Sequence, residues 1–69
     1  MTIVTKISGS SLNEKVKAEI TKQFPTLTSM YKKHVPGVGY VFYLKQGEKT
    51  LGKVFKEGSQ MVIFNDKNN

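Results

Sequence analysis

Val38-Gly39-Tyr40-Val41-Phe42-Tyr43-Leu44-Lys45, then Gln46-Gly47-Glu48, then Lys49 to Lys56, then Glu57-Gly58-Ser59, then Gln60 to Phe64: this stretch decides the fold. Three runs rich in aromatic and β-branched residues, separated by short breaks that each contain glycine, are the pattern of an antiparallel meander. A two-residue turn at Gly47-Glu48 places Leu44 opposite Leu51 and Val41 opposite Val54. A turn at Glu57-Gly58 places Val54 opposite Met61 and Lys53 opposite Val62. These registers gather Tyr40, Phe42, Leu44, Leu51, Phe55, Val62 and Phe64 on one face, the expected core. The opposite face, with Val41, Tyr43, Lys45, Thr50, Gly52, Val54, Lys56, Met61 and Ile63, is too apolar to stand free in water. It is expected to be covered by other elements or to bind something.

Upstream of the meander, Thr2 to Ile7 alternates, with Ile3 and Ile7 on one side and Thr2, Val4 and Lys6 on the other, and reads as a short strand. Ser8-Gly9-Ser10 interrupts it. Ser11-Leu12-Asn13-Glu14 has the Ser-x-x-Glu form of a capping box and predicts a helix from Leu12 to Gln23. Leu12, Val16, Ile20 and Phe24 form its apolar stripe, and Pro25 ends it. Leu27, Met30, Tyr31 and His34 then fall at i, i+3, i+4 and i+7, the spacing of a second, short helical segment capped by Thr26. A strand competes for residues 26–34, because Thr26, Thr28 and Tyr31 favour sheets. Val35-Pro36-Gly37 turns the chain into the meander.

The expectation is therefore an α+β domain: an N-terminal strand, one main helix, a short second helical segment and a three-stranded antiparallel β-meander. Residues 1–64 form a single compact domain in this reading, and 65–69 a frayed polar tail. At 69 residues one core is only marginally sufficient, so a partner or a second copy is an expected source of further stability. A homodimer would form through a sheet edge or the second sheet face.

Composition narrows the function. Eleven basic residues, all lysine, against five acids give a net charge of +6, the footprint of a protein that meets polyanions. Lysine is a compact point charge suited to phosphate oxygens, whereas the planar fork that reads guanine belongs to arginine. Nucleic-acid binding with little sequence specificity follows, through Lys32, Lys33, Lys45, Lys49, Lys53, Lys56, Lys15 and Lys22, with Tyr43 or Tyr31 stacking or touching the partner. The alternative is a small regulator or inhibitor docking on an acidic protein surface, as compact virus-encoded accessory proteins do.

Catalysis and metal binding find no support in the pattern. His34 is the sole histidine, cysteine is absent, and Glu14, Glu19, Glu48, Glu57 and Asp66 are scattered along the chain. A general acid and base need two converging groups, and zinc needs three or four protein ligands. The reading is of a non-enzymatic protein without cofactor. Lack of cysteine, of a signal-like start and of a long apolar run suggests a soluble, cytoplasmic protein.

Two resemblances cover short parts of the chain. Gly37-Val38-Gly39-Tyr40-Val41-Phe42-Tyr43 resembles the RNP1 strand of RNA-recognition motifs. It departs from that strand where Pro36 replaces a basic residue and Val38 a stacking aromatic, and the element order differs. Two helical segments followed by a hairpin also resemble a winged helix-turn-helix, which would turn Thr26, Thr28, Ser29, Lys32 and Lys33 toward phosphates. The third helix of that arrangement is missing.

Overall fold

A computed structural model describes residues 2–66. Five strands and one helix follow in the order β1 (Thr2–Ser8), α1 (Glu14–Gln23), β2 (Ser29–Val35), β3 (Gly39–Gln46), β4 (Lys49–Glu57) and β5 (Gln60–Asp66). All five strands join one antiparallel sheet in the order β1-β5-β4-β3-β2. The helical linker therefore carries the chain from one edge of the sheet to the other. This corrects the expected architecture, because the sheet has five strands rather than a three-stranded meander beside a separate strand, and the described residues contain no second helical segment.

Residues 29–35 form an edge strand held by its ladder with β3 rather than by burial. Met30 and Tyr31 are exposed, while the strand pairs with β3 along its whole length, from Ser29 opposite Lys45 to Val35 opposite Gly39. The turn settles this local choice. Val38 N–H donates to the Val35 carbonyl at 3.0 Å, and Gly37 has φ of 85°. Proline followed by glycine with positive φ is the type II pattern, and here it brings Gly39 opposite Val35. A helix-turn-helix reading of Thr26 to Lys33 falls with the second helix.

The main helix starts two residues later than the capping box implies. Asn13, not Ser11, is the N-cap. Its Oδ1 accepts from the Val16 N–H at 3.0 Å, and Glu14 sits favourably in the first turn. Asn13→Ala is expected to cost about 1 kcal/mol. Ser11→Ala should leave the urea midpoint almost unchanged, so the pair of variants tells the two caps apart.

Val16, Ile20 and Phe24 pack on Leu44, Val54, Met61 and Ile63 to form the core. The opposite end of the helix is pinned by polar contacts. Gln23 Nε2 donates to Thr5 Oγ1 at 2.9 Å and to Glu19 Oε2 at 2.7 Å. Gln23 Oε1 accepts from the buried Asn65 amide at 3.0 Å. Asn65 and Asp66 belong to β5 and pair with Ile3 and Thr2, so the strand extends into the stretch expected to fray. Residues 67–69 lie outside the described residues.

A β-bulge reassigns the faces of the meander. The turn at Gly47-Glu48 forms as expected, with Gln46 opposite Lys49 and Lys45 opposite Thr50, but Leu44 then faces Gly52, leaving Leu51 as the extra residue. Beyond it Val41 faces Phe55 and Phe42 faces Val54. The last turn is also displaced, with Glu57 opposite Gln60 and Val54 opposite Ile63. Phe42 and Leu44 consequently share the helix-covered face with Val54, Met61 and Ile63. Val41 and Tyr43 share the other face with Phe55, Val62 and Phe64. A single extra residue inverts one strand relative to the next, since side chains alternate with period two.

Candidate nucleic-acid interface

Among the described residues one helix serves a five-stranded sheet, so the face away from α1 has no covering layer. Its composition follows from the registers. One cross-strand row reads Val4, Phe64, Lys53, Tyr43, Tyr31 from β1 to β2, and the next reads Lys6, Val62, Phe55, Val41, Lys33. Lys45 continues this face beside Ser29. Four aromatic rings and four lysines thus share one surface.

The rings form two pairs. Tyr31 and Tyr43 have centroids 6.4 Å apart. Phe55 and Phe64 meet edge to face at 5.4 Å, a favourable arrangement for aromatic quadrupoles. Val41 and Val62 flank Phe55 and are only 4% and 2% exposed, which shows that the neighbouring side chains, without any covering helix, already form a packed apolar base. Lys53 stands between the pairs, its Nζ 5.4 Å from the Phe64 centroid. A groove of about 360 Å³ and a smaller one of about 180 Å³ both border Tyr43, Lys53 and Phe64. Two carboxylates share this face: Asp66 lines the larger groove with Lys53 and accepts from Thr2 Oγ1 at 3.2 Å, and Glu57 ends β4 beside Gln60.

The lysines expected to bind together are divided by this geometry. Lys33, Lys45 and Lys53 lie on the uncovered face with Tyr31 and Tyr43. Lys32 and Lys56 lie on the helix side of the sheet, Lys32 opposite Phe42 and Lys56 opposite Met61. Lys15 and Lys22 are on the exposed surface of α1, and Lys49 opens β4 beside the turn. Lys6, Phe55 and Phe64 were not among the expected contacts. Lys6 joins the face only through the pairing of β1 with β5, and the phenylalanines reach it because the bulge exchanges the faces. In the RNP1-like window, Tyr40 and Phe42 project to the helix side and Tyr43 to the other, so its aromatics do not act as one platform.

Strands β1 and β2 are the two sheet edges. Consecutive lysines at positions 32 and 33 in the middle of β2 disfavour pairing of that edge with a second copy, because like charges would come opposite one another. No helix of the described residues is long and apolar enough to cross a membrane, and no three of their His, Asp or Glu side chains group as metal ligands. No family model matches the chain, and no curated protein or solved structure matches it significantly. A functional reading rests on the residues themselves.

Proposed function

We propose that the protein is a non-enzymatic binding module that holds single-stranded nucleic acid on the uncovered sheet face. The observation that carries this reading is the interleaving of Tyr31, Tyr43, Phe55 and Phe64 with Lys6, Lys33, Lys45 and Lys53 on one surface. Rings supply a stacking platform for unpaired bases of any identity, and lysines supply point charges for the phosphates between them. A duplex keeps its bases stacked inside, so the same face would hold it through phosphates alone. Lack of arginine leaves little means of reading base edges, and affinity is expected to vary little with sequence.

Fluorescence anisotropy with a labelled single-stranded oligonucleotide and its duplex, at stepped salt, tests this. With four phosphates neutralised, log affinity should fall against log salt with a slope of about −3 for the single strand. The single strand should bind more tightly than the duplex by at least the stacking of one base, roughly fivefold. If neither binds below the ~10⁻⁴ M limit of ordinary non-specific affinity, the face serves an acidic protein partner instead.

A further inference from the structure

The helix does not cover the whole of its own face of the sheet. Beyond its N-terminal end lies a cleft of about 470 Å³, within the size range of small-molecule sites. Leu12, Phe42 and Met61 form an apolar floor, and Lys32, Lys56 and Tyr40 stand around it. The Lys32 Nζ sits 4.4 Å from the Tyr40 ring centroid, a cation held by a π-face. Ser10 and Ser11 add hydroxyl donors to the wall, and among the described residues no carboxylate lines the cleft. Two ammonium groups beside an apolar floor, with no acid to balance them, are complementary to an anion that carries a flat apolar body.

We propose that this cleft is a second, separate binding site, for a phosphorylated small molecule of mononucleotide size. The phosphate would lie between Lys32 and Lys56 within reach of the serine hydroxyls, and the ring system would lie against Tyr40, Phe42 and Met61. Lysine as a point charge suits a phosphate, and an exposed tyrosine suits a planar ring. The site opens on the helix side of the sheet, so it is independent of the surface that carries Tyr43 and Phe64.

Adenosine monophosphate, adenosine and inorganic phosphate are the probes, titrated into the full chain while the Met61 methyl and Tyr40 ring resonances are followed. Adenosine monophosphate should shift both resonances saturably, and adenosine and phosphate should each bind at least tenfold more weakly. Lys32→Gln and Lys56→Gln should each weaken binding about tenfold, the scale of one charge-assisted hydrogen bond. Both lysines are exposed, so the fold tolerates these changes. Tyr43→Ser, on the other face, should leave the affinity unchanged. An unmoved Met61 methyl, shifts confined to Tyr43 and Phe64, or equal affinity in the lysine variants would overturn the proposal. Failure of oligonucleotide binding alone would leave it standing.

Discussion

Gly52→Val is expected to leave the chain largely unfolded, and Gly52→Ala to cost about 3 kcal/mol, at the upper end of ordinary overpacking. Gly52 is buried in β4 just past the bulge. A Cβ there would collide with the Phe64 carbonyl oxygen and press on the Phe24 ring at 3.0 Å. The first obstacle is backbone in the adjacent strand, which cannot swing aside as a side chain can. The second is the residue that seats the end of α1 on the sheet. A domain of this length has a total stability of roughly 3–10 kcal/mol, so the larger substitution exhausts much or all of it. Circular dichroism and urea unfolding of the two variants check this, and an alanine variant within ~0.5 kcal/mol of the parent, the range of a neutral surface change, would mean that β4, β5 and Phe24 do not meet there.

The double charge reversal Lys33→Glu with Lys53→Glu is expected to weaken single-stranded binding by about 100-fold or more. Each charge-assisted contact contributes at least ~1.5 kcal/mol, about tenfold, and a carboxylate facing phosphate adds repulsion. The salt slope should flatten by about 1.4 as two phosphate contacts are lost. Lys15→Glu with Lys22→Glu changes net charge equally and provides the control. Those lysines lie on the helix, across a body whose smallest extent is 21 Å, beyond the Debye length of about 8 Å at physiological salt. The control should therefore bind within a few-fold of the parent. Equal losses in the two double variants would show that net charge alone drives binding. Tyr43→Ser should cost the stacking of one base, roughly 5- to 150-fold, with the salt slope unchanged.

Several features of this fold were legible from residues alone. A strand over Thr2 to Ile7, the stripe Val16, Ile20, Phe24 and three runs between Val38 and Phe64 follow from periodicity and turn residues, whereas the pairing of Asn65 and Asp66 with β1 does not. Residues 29–35 misled because four residues at i, i+3, i+4 and i+7 satisfy a helical template whether or not a core exists for them, and pairing with β3 is a tertiary fact. The bulge misled for a different reason. Both ways of aligning β3 with β4 give two apolar faces, so hydrophobic alternation has no preference, and the extra residue, Leu51, carries no local mark. The candidate interface depended on that choice. Lysine excess pointed to polyanions, yet which lysines and rings share a surface was fixed by the bulge and by the pairing of β1 with β5, neither of which leaves a local signal.

The most direct measurement is a methyl and aromatic NMR titration of the isotope-labelled protein with a single-stranded oligonucleotide. Ring currents from stacked bases should shift the Tyr31, Tyr43, Phe55 and Phe64 rings and the Val4, Val41 and Val62 methyls. The Val16, Val54 and Ile63 methyls, in the core between the helix and the sheet, should stay in place. Saturable binding that moves the helix-side methyls or the surface of α1, while Tyr43 and Phe64 remain still, would contradict the assignment of the uncovered sheet face as the nucleic-acid surface.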